Sequence, residues 1–203
     1  MNFKDLLEKR HACKLFNDTK IPEKDLKFIL ECGVLAPSSH GFEPWKFFVL
    51  KDRQEELSKL CLNQQNVATA SHNVILVARK DLREKDAFAR TQIRRFAGSS
   101  EENFQKILQI YTHKTNKMSE KELYEYSKLQ CYLALMQMSL AAMSIGVDSC
   151  MIGGFDAEKL NAYLKLDTNK ELSTLMIALG YSDDKDLPSK SRFKFDEVVQ
   201  FLD

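Results

Sequence analysis

The sequence has few of the residues that mark unusual classes of protein. It contains 7 glycines and 4 prolines among 203 residues and no low-complexity tract, which is typical of an ordinary globular chain. It has no uncharged apolar run long enough to span a bilayer, and its beginning, MNFKDLLEKR, is too charged for a secretory signal. Because 30 basic residues balance 29 acidic ones, we expect neither a nucleic acid nor a membrane as partner.

Cysteine and histidine are too scattered for a stapled or metal-bound protein. The five cysteines are odd in number and form no C-x-x-C pair, and the four histidines lack the spacing of metal ligands. We therefore expect no metal, reduced thiols and a cytoplasmic location.

Motifs for several common chemistries are also absent. There is no G-x-G-x-x-G, no phosphate-binding P-loop and no serine or cysteine in a nucleophile-elbow context. A Rossmann dinucleotide site, a nucleoside triphosphatase and an acyl hydrolase are therefore unsupported.

Hydrophobic patterning predicts a mixture of helices and strands without a regular βαβ alternation. Pro22 suits the first position of a helix that should end at Ala36, before Pro37. Ser119 and Glu122 form a capping box before a long helix to Ile145, whose apolar stripe we expect to pack as core. That stripe consists of Leu129, Leu133, Met136, Leu140 and Met143. Apolar runs predict strands at residues 45–50, 74–78, 148–152 and 175–179, and Asp156 should cap a further helix. The pattern favours a single α+β domain, residues 1–203, built as a three-layer sandwich.

Four polar segments interrupt this pattern and could hold a ligand. RHACK, at residues 10–14, offers cations to an anion, although it could equally be a solvated surface run. LAPSSHGFEPW, at residues 35–45, offers hydroxyl and backbone N–H groups, although a Pro-Ser turn would look the same. Gly153-Gly154 allows a planar ligand to approach, or simply makes a tight turn. Lys190-Ser191-Arg192 adds cations, or is an unremarkable basic tail.

In this order the segments resemble the FMN-dependent nitroreductase family. The resemblance rests on R-H-x-x-K-x-F at 10–16, P-S-S-x-x-x-x-P-W at 37–45, G-F-D at 154–156 and K-S-R at 190–192. The segments RHACK and DSCMIGGFD are most similar to those of the RdxA-type branch, whose members are known for reducing nitroimidazole prodrugs. The resemblance implies a mainly antiparallel central sheet flanked by helices, and a homodimer in which the extension 183–203 wraps the partner subunit.

The resemblance also implies a role for individual residues. Arg10, Lys190 and Arg192 would bind the FMN phosphate, and Lys14 would support the reduced ring electrostatically at its pyrimidine edge. No catalytic side chain is implied beyond that support, because the flavin carries the chemistry. The remaining cofactor-binding positions are His11, Ala12, Pro37, Ser38, Ser39, Gly41, Asn63, Asn66, Ile152, Gly153 and Gly154.

Several positions depart from the family pattern. Ala12 replaces a common serine, Gly41 a frequent asparagine and Glu43 the usual glutamine. Gly153 replaces a frequent glutamate, and Asn66 stands where a second lysine often occurs. The loss of that cation puts the redox behaviour and the choice of nicotinamide donor in question.

The implied reaction is electron transfer from NADPH or NADH, through tightly bound FMN, to a nitroaromatic or quinone acceptor by a ping-pong mechanism. A flavin reductase or enoate reductase of the same family, and a non-catalytic flavin-binding protein, are the alternatives. The acceptor pocket is expected in the least patterned region, roughly residues 87–118.

Overall fold

The computed structural model describes residues 2–184 and 189–202. Residues 185–188, which belong to the predicted C-terminal extension, therefore lie outside the described residues. The helices are α1 (Phe3–Lys9), α2 (Glu23–Val34), α3 (Gln54–Leu60), α4 (Gln65–Ala68), α5 (Ala87–Ala97), α6 (Glu101–Thr115), α7 (Glu120–Ser144), α8 (Ala157–Tyr163) and α9 (Phe195–Val198). The strands are β1 (Trp45–Leu50), β2 (His72–Arg79), β3 (Asp148–Ile152) and β4 (Glu171–Gly180).

The four strands form one sheet in the order β1-β2-β4-β3, with every neighbouring pair antiparallel. Side chains alternate between the two faces of β2 and β4, and each face is buried against its own set of helices. Leu76 and Ile177 pack in the core with α2 and α7, whereas Ile75 and Met176 pack in the core with α3, α4 and α8. The predicted α+β sandwich with an antiparallel sheet is thus confirmed.

A third hydrophobic cluster lies outside the sheet. It joins α5, α6 and the beginning of α7, and Phe42 is fully buried within it against Tyr111, with ring centroids 3.9 Å apart. The region predicted to be least patterned is therefore a helical pair. The hydrophobic pattern does not predict these two helices because they are largely polar. Ser100, a typical N-cap residue, does cap α6.

Most predicted elements are confirmed, some with shifted ends. The predicted strands 45–50 and 148–152 have exactly the observed bounds, whereas the other two are longer than predicted. The predicted capping box of Ser119 and Glu122 and the predicted Asp156 cap are both present. Pro22 is the residue before α2 rather than its first residue, and the helix ends at Val34, two residues before Ala36. Such shifts are the usual error at helix ends.

The predicted core stripe of α7 is wrong. Leu129 is 63% exposed and Leu133 44% exposed, and Met136, Leu140 and Met143 are only partly buried. The buried face of the helix instead carries the small side chains of Cys131, Ala134 and Ala142, together with Met138. Because α7 is apolar on most sides, its periodicity does not single out the face that packs on the sheet. The stripe is an apolar surface of this chain.

Among the described residues, no helix is both long and apolar enough to cross a membrane.

Candidate functional site

The RHACK segment is fixed between α1 and the edge of the sheet. The backbone N–H of Arg10 closes α1 by bonding to the Leu6 carbonyl (2.9 Å), and that of Cys13 bonds to the Ser149 carbonyl of β3 (3.1 Å). Cys13 is buried beneath the segment, and burial raises the pKa of its thiol. Lys14 is exposed, whereas the His11 side chain is only 19% exposed and lies with Nε2 3.9 Å from Oδ1 of Asp148 at the start of β3.

Phe16 and Asn17 anchor the other end of this segment. The N–H of Asn17 bonds to the Tyr181 carbonyl (2.7 Å) just beyond β4, and the buried Phe16 ring lies over Gly180. A Cβ atom on Gly180 would be 2.7 Å from Cδ1 of Phe16, so the close approach requires glycine there. The five residues from Arg10 to Lys14 therefore lie between two fixed points.

A cleft of 580 Å³ opens beside this segment, a volume within the range of small-molecule sites. It is lined on one side by residues 11–17 and on the other by Ser182, Asp183 and Asp184, which follow β4. His11, Ala12 and Lys14 thus share one cleft, as predicted for neighbours around a ligand.

The three predicted phosphate ligands converge on an adjoining cleft. Arg10, Lys190 and Arg192 line a depression of 330 Å³ against α1 and Met136 of α7, and the Lys190 ammonium donates to the Arg10 carbonyl. Partial desolvation, together with the positive charges of Arg10 and Arg192, lowers the pKa of Lys190. Lys4 and Glu8, which pair with each other at 3.9 Å, also line this depression, so the three further cations leave it with a net positive charge that an anion would offset. We call Arg10, Lys190 and Arg192 the cation triad.

The predicted glycine and asparagine positions meet near the end of β3. Buried Asn66 of α4 donates through Nδ2 to Sγ of Cys150 (3.0 Å), and Gln64 donates to the Gly154 carbonyl (2.7 Å). Asn63 precedes them in an exposed left-handed turn (φ 56°). Ile152 is buried, whereas Gly153 and Gly154 are exposed. A Cβ atom on Gly153 would meet nothing within 4 Å. The wall beside Gly153 is open, as a planar ligand would need.

In the folded chain, the predicted serine positions are separate from the RHACK segment and from the end of β3. Among the described residues, the hydrogen bonds of Ser38 and Ser39 run within their own turn and to α7, and none reaches residues 10–14 or β3. Pro37 and Gly41 belong to the same turn. One chain therefore presents the predicted site residues as two groups.

The turn that carries the serines adopts an uncommon backbone. His40, Gly41 and Glu43 all have positive φ, at 57°, 63° and 44°. A Cβ atom on Gly41 would lie 2.5 Å from Cζ of Phe96, so a side chain here would have to displace the Phe96 ring, which is 51% exposed. Glycine, which stands where the family often has asparagine, meets the positive φ without that displacement.

Long-range hydrogen bonds hold this turn in place. Gln130 of α7 accepts the Ser39 N–H at Oε1 (2.8 Å), and the Tyr126 hydroxyl donates to the Ser39 carbonyl (3.3 Å). The Tyr111 hydroxyl donates to the His40 carbonyl (2.8 Å), and burial raises the pKa of Tyr111 to about 12, so it remains a donor in neutral solution. Sequence reasoning missed these residues, because no local pattern marks a partner that lies so far along the chain.

Glu43 and Arg95 add an ion pair to the same turn. The Arg95 guanidinium binds both carboxylate oxygens of Glu43, with Nη1 3.0 Å from Oε2, and this bond raises the pKa of Arg95. Glutamate in place of the usual glutamine therefore has a partner on α5. Arg95 thus has a structural role in this turn.

Replacing Gln130 with leucine should lower the free energy of unfolding by about 2 kcal/mol, because the Ser39 N–H would lose its acceptor in a half-buried place. Urea denaturation measures this change. The matched control is Gln105→Leu on α6, which removes an exposed bond to Glu101 and should cost much less. Equal losses in the two variants would show that Gln130 does not hold the turn.

Comparison with known proteins places this chain in an oxidoreductase class. The model of the nitroreductase family matches residues 7–181. The chain belongs to that family, and it is therefore an enzyme of the oxidoreductase type.

Individual relatives agree over nearly the whole chain. The protein named "Putative NAD(P)H nitroreductase YfkO", from Bacillus subtilis, is 33% identical over 212 residues, covering 95% of this chain and 94% of its own. The crystal structure of a nitroreductase family protein from Streptococcus pneumoniae superposes with a TM-score of 0.85 at 32% identity, covering 99% of this chain and 100% of that one. A nitroreductase-fold protein from Exiguobacterium sibiricum, solved in complex with FMN, has a TM-score of 0.84 at 19% identity, covering 100% of this chain and 98% of that one.

Proposed function

We propose that this enzyme binds FMN tightly but non-covalently and transfers two electrons from NADPH or NADH to nitroaromatic, nitroimidazole-like or quinone acceptors. The observation that carries the proposal is the convergence of the cation triad beside the cleft of His11, Ala12 and Lys14. A phosphate would neutralise the triad, and Arg10 of the triad immediately precedes the segment 11–17 that lines the cleft of Lys14. We also propose that it acts in the cytoplasm, where both nicotinamide donors are present.

Further features of the chain fit this cofactor. Oδ1 of Asn66 is buried and has no hydrogen-bond partner among the described residues, so it can accept a bond from a ligand. The space in front of Gly153 is open to a flat ring. The Exiguobacterium sibiricum protein that shares the fold was solved with FMN. The residues present therefore suit a flavin mononucleotide, with phosphate cations at one end and an amide and a lysine at the other.

The protein's part in the reaction is to bind, orient and stabilise charge. When bound, FMN supplies the hydride chemistry. Arg10, Lys190 and Arg192 would hold its phosphate, and Lys14 would place a positive charge where the reduced ring is negative. Because Gly153 takes the place of a common glutamate, no carboxylate stands there to deliver a proton, and we propose that protons come from water.

A homodimer would complete this site. The serine turn and the RHACK segment are separate groups in one chain, and two copies could bring them together. On α7, Leu129 and Leu133 of the predicted stripe are exposed, and so is the neighbouring Tyr132. The end of the chain is also apolar and exposed, at Phe193, Phe195, Val198, Phe201 and Leu202. An apolar surface and an apolar arm are what an exchanged extension between two subunits requires.

The kinetic order tests the function directly. Since the sequence has no separate dinucleotide motif, donor and acceptor should occupy one cleft in turn, and double-reciprocal plots at several fixed acceptor concentrations should be parallel. The chromophore released by denaturing the purified protein should be FMN. Intersecting lines with a demonstrated ternary complex would contradict the shared cleft, and a panel of nitroaromatic, quinone, enone and free-flavin acceptors would identify the preferred class.

A further inference from the structure

A second basic cleft lies beside the serine turn. It has a volume of 470 Å³ and is lined by His40, Lys106, Gln109, Ile110, His113 and Lys114. Five of these residues come from α6 at positions i, i+3, i+4, i+7 and i+8, so they form one face of that helix. His40 contributes from the turn that carries Ser39. We call this the α6 cleft.

The charge of the α6 cleft is positive although the whole chain is nearly neutral. Two lysines and two histidines line it, and no carboxylate does. The nearest compensating charge is Glu102, which pairs with Lys106 (2.6 Å) on the exposed side of the helix. Lys114 lies 5.3 Å from the centroid of the Tyr126 ring and has no carboxylate partner among the described ion pairs. At least one cation is therefore available to an anionic ligand.

The α6 cleft also has an apolar wall and a fixed geometry. Ile110 is 53% exposed within it, an apolar surface that a flat organic ligand could cover. His40 is held from both sides, since its Nδ1 contacts Oγ of Ser39 (2.9 Å) and its carbonyl accepts the Tyr111 hydroxyl. The cleft is thereby tied to the turn whose serines are predicted to contact the flavin.

We propose that the α6 cleft binds the anionic group of a ligand whose other end reaches the serine turn. The group is a carboxylate of the acceptor or the 2′-phosphate of NADPH, two sources with the same recognition chemistry. This inference rests on the proposed function for its consequence in turnover, but binding itself does not require turnover. His113 and Lys114 lie in the last turn of α6, where positive charge interacts favourably with the helix dipole and stabilises the helix. The experiment must therefore separate an effect on ligand binding from an effect on stability.

Binding can be measured on the purified protein, as isolated with its cofactor, by NMR of the four histidines. His40→Gln and His113→Gln variants assign the two cleft signals. 4-Nitrobenzoate is compared with neutral 4-nitrobenzamide, and adenosine 2′-monophosphate with neutral adenosine. We expect the anion of at least one pair to shift both cleft signals and its partner compound to shift neither, while buried His72 stays unchanged. If neither anion moves these signals more than its partner, the proposal is wrong.

The kinetic arm identifies which ligand uses the cleft. Lys106→Met combined with Lys114→Met should raise KM about tenfold for the anionic member of the responding pair, 4-nitrobenzoate or NADPH, because two partly exposed ion pairs are lost. KM for 4-nitrobenzamide or NADH should not change. The control, Lys117→Met with Lys121→Met, removes two exposed lysines outside the cleft and should leave both values unchanged.

Each outcome has a definite meaning. A selective effect on 4-nitrobenzoate assigns the cleft to the acceptor, and one on NADPH assigns it to the donor. Equal changes for charged and neutral compounds would show that the lysines act on stability, and would overturn the proposal. If histidine shifts persist but no nicotinamide is oxidised, the cleft binds anions and the proposed function fails instead.

Discussion

Removing both cations of the C-terminal segment, Lys190→Ala with Arg192→Ala, should weaken FMN binding about hundredfold. Each charge-assisted contact to a phosphate contributes about 1.5 kcal/mol or more, and 1.4 kcal/mol corresponds to a tenfold change. Arg192→Ala alone should weaken FMN binding about tenfold. Flavin fluorescence during titration of the apoprotein measures the dissociation constant. Lys59→Ala with Lys170→Ala, which removes two exposed lysines far along the chain from the triad, should have no effect.

The same experiment examines the exchanged extension. Ending the chain after Asp186, which lies outside the described residues, should cost more affinity than the double substitution, because the apolar arm is lost as well as the cations. Sedimentation velocity should show the full-length protein as a dimer. A monomer that carries a full complement of flavin would contradict both the arm and the shared site.

Replacing Lys14 with alanine should lower the midpoint potential of the bound flavin by about 30 mV and slow its reduction about tenfold. A positive charge at this position stabilises the anionic reduced ring more than the neutral oxidised ring, and for a two-electron couple 30 mV corresponds to about 1.4 kcal/mol. FMN affinity in the oxidised state should change little. Potentiometric titration and stopped-flow reduction measure the two effects.

Lys14→Arg is the matched variant, since it keeps the charge at an exposed position of the cleft. The midpoint potential and the reduction rate of the Lys14→Arg variant should stay close to those of the unaltered protein. An unchanged potential in Lys14→Ala would show that Lys14 lies away from the ring. Because Asn66 replaces a second lysine at this edge, little else among the predicted ring contacts can compensate.

The sequence predicts the sheet better than the helices, and there is a physical reason. The strand 45–50 is mostly aromatic and apolar and follows Pro44, and the strand 148–152 lies between Gly146 and Gly153, so the bounds of both are marked locally in the sequence. In α7 most sides are apolar, and the choice of the buried face depends on where small residues let the helix approach the sheet. Leu129 is exposed for that reason although it is more hydrophobic than buried Ala134.

In the candidate site, too, the locally encoded residues could be predicted and their long-range partners could not. RHACK and K-S-R are recognisable in sequence, and the structure brings their cations together across 180 residues. The residues that hold the serine turn were not predictable, because Tyr111 and Gln130 contact it from 71 and 91 positions away. The α6 cleft lies in the region, roughly 87–118, where the acceptor pocket was expected, but its individual residues were not predicted, for a related reason. His113 and Lys114 look like ordinary surface residues until the fold places His40 opposite them.

The anchoring of RHACK bears on the entropy of ligand binding. The segment between Cys13 and Asn17 is bonded at both ends to the sheet edge, and Phe16 is fixed over Gly180. Ordering a free backbone costs about 1–2 kcal/mol for each residue. Here folding has already met that cost, so a ligand entering the cleft would have to immobilise little more than the side chain of Lys14. Affinity in this part of the cleft would then reflect the ligand's own contacts rather than a loop that must first be ordered.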